Sequence, residues 1–515
     1  MTSSGPGTKN LREQFSSIDV WAVALLALSL EMHLLWMRFT NYTEEDAFIT
    51  FRFARQLAAG NGFVYNLGEK LYGTTTPLMT LVLAAWLKFI SNNVILGARI
   101  LDLLAVAGML FFTWQTLRST RSSAAEQILP LAALAFSYKL LYMDTQGMEM
   151  PLVLCLMAAS WYAWTSGRTN WAGLLSGLLL WTRVDLVVWP AALILVSLPT
   201  DPKQAARLGI LAALVYLPWV IFAAFYFGSP IPFTITAKWV AYSQFNQAPY
   251  PSQLGIILNY LLPFDVPGTM QFLVPLTVWM VIVWAAWKVQ LFRDKPPAVL
   301  FVFIAADVTL LTLTRATFFS RYFIPALWAT LILFGLGLGV LWDRLRSTRT
   351  PKILFTAALL ILLFVTGVAG IQFAQIIQAK QIYRFDDSLK ELGIWLNRNS
   401  PPQATVLLEP LGYVGYYSNR TVIDEVGLVT PAVLSLKLQQ IGAEMYPSIF
   451  HPDYIVLHCD DAVHMQETPE TGLSQDYVMA QEFNPLEFDP STPDQSPGPT
   501  GLARVSCYQV WQKSK

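Results

Sequence analysis

The chain has 515 residues, of which 54% are hydrophobic and 13% charged, and its 34 basic residues balance 34 acidic ones. A soluble protein of this length would carry nearly twice that charge. The composition excludes an ordinary soluble enzyme, and with a net charge of zero nothing points to nucleic acid.

Residues 1–18 are polar and long for the start of a signal peptide, and no small-residue cleavage site follows the first apolar run, which therefore reads as a retained anchor. Apolar runs then recur to residue 372. The predicted spans are 19–39, 97–117, 126–143, 150–166, 170–182, 184–199, 208–227, 270–290, 298–314, 322–342 and 353–372, about eleven helices. Basic clusters at Lys9/Arg12, Arg118/Arg121, Arg168, Lys203/Arg207, Arg293/Lys295 and Arg344 to Lys352 fix the orientation, because positive loops stay in the cytoplasm. The apolar segment 77–92 is not counted. As a span it would invert everything after it, so it reads as a helix at the outer interface, within one large external loop, 40–96.

Beyond residue 372 the chain turns polar. A helical stretch, 386–399, precedes strand candidates at 404–410, 421–427, 453–459 and 503–511, which together suggest a small α/β domain. Segment 465–500 reads as a long, partly disordered surface loop. The division is a cytoplasmic N-terminus (1–18), a membrane domain (19–372) and an extracytoplasmic α/β domain (373–515). In an oxidising compartment Cys459 and Cys507 could pair; two buried thiols are the alternative.

With this topology, charged residues converge on the outer face: Glu44, Glu45 and Asp46 after the first span, Asp144 and Glu149 in MDTQGMEM, Arg183 and Asp185 in WTRVDL, Lys238, and Arg315 and Arg321. Charge at membrane depth is expensive and usually lines a wet cavity. Carboxylates with Arg and Lys nearby could hold a phosphorylated lipid head group and deprotonate a hydroxyl. Structural roles compete: the acids could cap the helix that starts near residue 46, Glu149 could open the fourth span, and Arg183 could pair with Asp185 at a helix corner. Glu31, His33, Asp102 and Asp307 lie inside spans, where interhelical hydrogen bonding is the simpler reading.

The run EDAFITFRFARQLAAGNGFVYNLGEKLYGTTTPL resembles the first external loop of the GT-C superfamily of integral-membrane glycosyltransferases, which use polyprenyl-phosphate sugars. The branch it is most similar to includes the mycobacterial terminal arabinofuranosyltransferases. GMEMPLVLCLMAASWYAW, LLWTRVDLVVWP, FGSPIPFTITAKW, SRYFIPAL and LGYVGYYSNRTVIDEVGLVTP extend the resemblance, in order, over most of the chain.

The resemblance implies a catalytic base just past the first span, at Asp46 or Glu45, with Asp46 favoured. It implies donor or acceptor contacts at Asp144, Glu149, Arg183, Lys238, Arg315 and Arg321. A divalent cation, Mg²⁺ or Mn²⁺, could bridge the acidic loops through Asp46 and Glu149, as some relatives need one and others do not. The basic-aromatic helix FRFARQLAAGNGF is expected on the membrane surface, Phe in lipid and Arg among head groups.

The expected protein is a multi-pass plasma-membrane glycosyltransferase, transferring sugar with inversion to a glycan, glycolipid or protein. A transporter or flippase of lipid-linked sugars is the alternative.

Overall fold

The structure, a computed structural model, describes residues 17–121, 123–243, 249–262, 273–288, 294–315, 319–345, 349–487 and 499–514. The basic residues Lys9, Arg12, Arg293 and Arg346 lie outside these.

The membrane domain opens with α1 (Ser17–Thr40), α2 (Glu45–Ala58), α3 (Pro77–Phe89) and α4 (Val94–Thr120). Next come α5 (Ala124–Ala135), α6 (Tyr138–Met143), α7 (Met150–Thr165), α8 (Thr169–Thr182), α9 (Val188–Ser197) and α10 (Pro202–Phe227). The last are α11 (Phe233–Ser243), α12 (Tyr250–Tyr260), α13 (Leu273–Lys288), α14 (Lys295–Leu313), α15 (Ile324–Arg344) and α16 (Arg349–Ala379).

Local chemistry sets many of the boundaries. The Asn93 side chain caps α4 by accepting from Leu96 N–H at 3.0 Å, and Asp201 caps α10 through Gln204 N–H at 2.9 Å. Gly228, at φ +76°, ends α10 in the left-handed conformation that glycine adopts without cost. The expected span 126–143 is two helices, because Ser137 stops α5 and its hydroxyl caps α6. Among the described residues six helices are long and apolar enough to cross a membrane, against about eleven expected.

Close packing relies on small residues. Gly335 and Gly339 of α15 lie one turn apart against the backbone of α5 at Pro130 and Glu126, where a Cβ at Gly339 would come within 2.7 Å of Glu126 Cα. Such glycines let helices approach closely where lipid offers no hydrophobic drive to associate. The bundle core beside them is aromatic: Trp328 stands edge-on to Trp161 and Trp189, with ring centroids 5.9 and 5.8 Å apart.

Past α16 the helix runs without a break into a π-helical stretch, Lys380–Lys390, then α17 (Glu391–Asn399). The C-terminal domain follows, with β1 (Thr405–Leu408), α18 (Tyr413–Ser418), β2 (Thr421–Asp424), β3 (Tyr454–His458), β4 (Tyr477–Phe483) and β5 (Tyr508–Lys513). The sheet order is β2-β1-β3-β5-β4, parallel through the first three strands and antiparallel in the last two pairs. β4 lies within 465–500, so part of that expected loop is a strand; Val478 to Glu482 are exposed at the sheet edge, without the buried alternation that marks a strand. ARVS, expected to begin a strand, is helical, within Pro499–Ser506.

Cys459 and Cys507 form a disulfide across 48 residues of chain. A closed loop of that length is worth about 4 kcal/mol by loop-closure entropy. Reduction, or Cys507→Ser, is expected to lower the domain's unfolding free energy by up to that amount, read from denaturant unfolding with and without reductant.

One face of the sheet closes a core of its own with Leu407, Ile455 and Trp511. The other face, with Val406, Leu408, Val456 and Val510, shares a single core with α2 and α3. That shared core corrects the expectation for FRFARQLAAGNGF. Phe48, Phe51 and Phe53 are wholly buried and Arg52 is 2% exposed. The amphipathic pattern that suggested a lipid surface instead faces protein.

Candidate active site

Tyr42 to Asp46 lead from α1 into α2, and the three consecutive acids diverge. Glu44 is the N-cap: its carboxylate accepts from Glu45 N–H at 3.2 Å and from the Tyr42 hydroxyl at 2.6 Å. Glu45 turns to the C-terminal domain, where Gly412 N–H donates to its Oε1. Only Asp46 faces the large cavity, and its Oδ2 lies 2.5 Å from Arg321 Nη2.

The cavity holds about 1020 Å³. Its wall brings together Asp46, Glu149, Arg183, Lys238, Arg315 and Arg321, residues spread over 276 positions of sequence. The corner between α8 and α9 bends through a 3₁₀ turn, Val184–Val187, so Arg183 and Asp185 face each other despite being two apart. Arg183 grips Asp185 through two bonds, 3.1 and 2.5 Å, and reaches Glu149 at 3.0 Å. Its guanidinium lies 4.7 Å from the ring centre of Tyr322. Arg321 stacks on Phe319 at 4.3 Å, Lys238 approaches the same ring at 5.2 Å, and Arg315 lies over Tyr250 at 4.9 Å.

Burial opposes ionisation of Asp46, but the charges of Arg321 and Lys238 outweigh it and hold the carboxyl below its ordinary range. Glu45 is pushed the other way, well above the ordinary range, first by burial and then by the charge of Asp46. The two neighbours thus separate into an ionised carboxylate in the cavity and an acid that favours its neutral form at the domain contact.

Two expected site residues lie elsewhere. Glu45 is absent from the cavity wall, because one step along a helix turns a side chain by about 100°. Asp144 is fully buried behind the wall, its Oδ2 3.7 Å from His33 Nε2. Burial raises its carboxyl above the ordinary range. Of the polar residues inside spans, Asp102 accepts from Gly147 N–H at 3.2 Å and His33 meets Ser29 O at 2.7 Å, which is helix-to-loop and intrahelical bonding. Tyr413, Tyr416 and Tyr417 pack on Phe48.

Sequence reasoning passed over Thr74, Thr75 and Thr76, which line the cavity, and the rings of Tyr250 and Tyr322. The run of three threonines in an apolar chain was the available signal. As for a cation, Asp46 and Glu149 each already face a guanidinium, and among the described residues no group of three His, Cys, Asp or Glu gathers. The donor set does not fit a metal centre.

Residues 374–508 match a family described as a domain of unknown function (DUF8728). The chain is 27% identical over 267 residues to a terminal β-(1→2)-arabinofuranosyltransferase of Corynebacterium glutamicum, a match covering 46% of this chain and 39% of that protein. In architecture it is similar to ArnT from Cupriavidus metallidurans. The crystal structure bound to undecaprenyl phosphate superposes with a TM-score of 0.59 at 10% identity, covering 95% of this chain and 98% of that one. The apo structure gives 0.55 at 12% identity, covering 88% and 95%.

The chain has the fold of ArnT. It is a polytopic membrane protein with a small C-terminal sheet domain. In this fold Asp46 after α1, Glu149 before α7, Arg183 and Asp185 before α9, Lys238 in α11, Arg315 after α14 and Arg321 before α15 all meet at one cavity.

Proposed function

We propose that the chain is a membrane glycosyltransferase that takes a sugar from a polyprenyl-phosphate donor and passes it, with inversion, to a hydroxyl of a cell-envelope acceptor on the outer face of the membrane. The C-terminal domain sits on that same side. The observation that carries this reading is the Asp46 carboxylate, held ionised by Arg321 and Lys238 on the wall of a cavity large enough for a sugar and a lipid head group. The fold shared with a protein crystallised with undecaprenyl phosphate, and the partial match to an arabinofuranosyltransferase, support the donor class.

The site's charges suggest how the step proceeds. Asp46, Glu149 and Asp185 supply three negative charges, and Arg183, Lys238, Arg315 and Arg321 four positive ones, so the wall has a net charge of 4 − 3 = +1. That excess complements a phosphodiester, which carries one negative charge. Arg321 holds Asp46 at rest; as the donor phosphate arrives it can share its fork with the phosphate oxygens. Loosening that ion pair raises the basicity of Asp46 at the moment it is needed. The acceptor hydroxyl gives its proton to Asp46 and its oxygen bonds the anomeric carbon. The bond from that carbon to the phosphate oxygen breaks, and the electron pair leaves with the polyprenyl phosphate, stabilised by Lys238, Arg315 and Arg321. Arg183 is already saturated by two acids and shapes the wall.

The test is transfer of labelled sugar from a panel of polyprenyl-phosphate donors in proteoliposomes. Turnover with a donor supports the reading; a panel that neither reacts nor binds would leave transport as the activity to examine. Because arginines stand where a cation would, transfer is expected to persist in EDTA. Loss of turnover restored by Mg²⁺ or Mn²⁺ would instead place an ion between Asp46 and Glu149.

A further inference from the structure

Every residue from Asn41 to Asp46 is tied to a distant part of the chain. Asn41, at φ +48°, accepts from Arg99 through its backbone oxygen at 3.0 Å and its side chain at 2.9 Å. Tyr42 accepts from Lys380 at 3.0 Å. Thr43 N–H donates to Gln381 Oε1 at 3.0 Å, and Thr43 O accepts from the Tyr413 hydroxyl at 3.1 Å. Glu44 N–H donates to Gln146 O at 3.0 Å, and Glu45 accepts from Gly412 N–H. Gln381 and Tyr413 bond each other at 3.1 Å, closing the ring around Thr43. Lys380 and Gln381 belong to the π-helical stretch, a form that recurs at functional sites. Gly412 admits no side chain, since its Cβ would overlap the backbone of Glu45.

We propose that the C-terminal domain positions the catalytic carboxylate: Glu45, Gln381 and Tyr413 are positioning residues that clamp the loop before α2, so that Asp46 is presented to the cavity. The proposal rests on reading the chain as a transferase with Asp46 as base. Glu45 thereby has a purpose other than proton abstraction. What it contributes is an acceptor oxygen for Gly412, which a glutamine also has.

The experiment compares steady-state transfer by wild type, Asp46→Asn, Glu45→Ala, Glu45→Gln, Gln381→Ala and Tyr413→Phe in proteoliposomes. Displacing a reacting group by about 1 Å costs roughly a hundredfold in rate. Glu45→Ala and Gln381→Ala are therefore expected to lose about 10- to 100-fold in kcat, with the donor KM within about threefold of wild type. Glu45→Gln is expected to recover most of the lost turnover. Tyr413→Phe keeps the ring on Phe48 and removes only the hydroxyl, with its bonds to Thr43 O and Gln381, so it decides the matter should an alanine variant fail to fold; it too is expected to lose kcat with KM held.

The proposal is overturned if Glu45→Gln is as inactive as Glu45→Ala, which would make Glu45 itself a proton acceptor. It is equally overturned by full kcat in Glu45→Ala or Tyr413→Phe, or by losses that lie wholly in KM. An inactive Asp46→Asn beside an unimpaired Glu45→Ala defeats the positioning role alone. An unimpaired Asp46→Asn defeats the underlying reading as well.

Discussion

Asp46→Asn is expected to lower sugar transfer by about 10²- to 10⁴-fold, the usual contribution of a general base, while donor binding remains. The substitution keeps the size and one acceptor oxygen of the side chain. It removes the lone pair basic enough to take the acceptor's proton, and it removes the charge that faces Arg321. The released guanidinium is then free for the phosphate, so donor affinity should hold or tighten. Turnover and donor binding measured side by side separate these effects. A fall in binding that matched the fall in turnover would show that Asp46 only builds the pocket.

Arg52→Ala is expected to cost about 3–5 kcal/mol of stability, because each buried acceptor it leaves unsatisfied costs roughly 1–3 kcal/mol. Arg52 is 2% exposed. It donates to the backbone oxygens of Tyr65 at 2.9 Å, Gly415 at 2.5 Å and Arg420 at 2.7 Å, and to Asn66 Oδ1 at 3.3 Å. Its guanidinium also lies 4.1 Å from the ring centre of Tyr65. Two of those four acceptors lie in the C-terminal domain, so the truncation should loosen the domain from α2 as well as orphan the carbonyls. Arg52→Lys is not expected to rescue, because an ammonium cannot reproduce a planar fork that reaches several oxygens at once. Thermal unfolding in detergent measures the loss; a shift no larger than that of a surface variant would contradict it.

How far the site could be read from sequence depended on the range of the interaction. Apolar runs are local, so the membrane helices were legible, although a capping serine at 137 split one of them and short helices left the number of crossings open. β1 and β3 were legible as well, being apolar runs buried on both faces, and β2 by its alternation. β4 was not, because an exposed edge strand carries no apolar pattern. At the site, the acidic triplet was visible as chemistry, but the work of each acid was not. Glu44 caps by a local rule, whereas Glu45 and Asp46 are distinguished only by what they meet, Gly412 and Arg321, which are 367 and 275 positions away. The amphipathic pattern of α2 failed for a related reason. Periodicity tells which face is apolar, and it does not tell whether lipid or another domain covers that face.

The order in which these contacts can form follows the order of synthesis. The loop that carries Asp46 leaves the ribosome early, and Gly412, which fastens Glu45, follows 367 residues later. At about 5–20 residues per second that interval is roughly 20–70 s. For that time the first membrane helices exist with Glu45 unfastened and Arg52 lacking two of its four oxygens. A chain cut short before β1 would keep every cationic residue of the cavity and still lack Gly412 and Tyr413, two of the groups that hold its carboxylate in place. A nascent copy stalled in the membrane is therefore expected to hold donor lipid without consuming it.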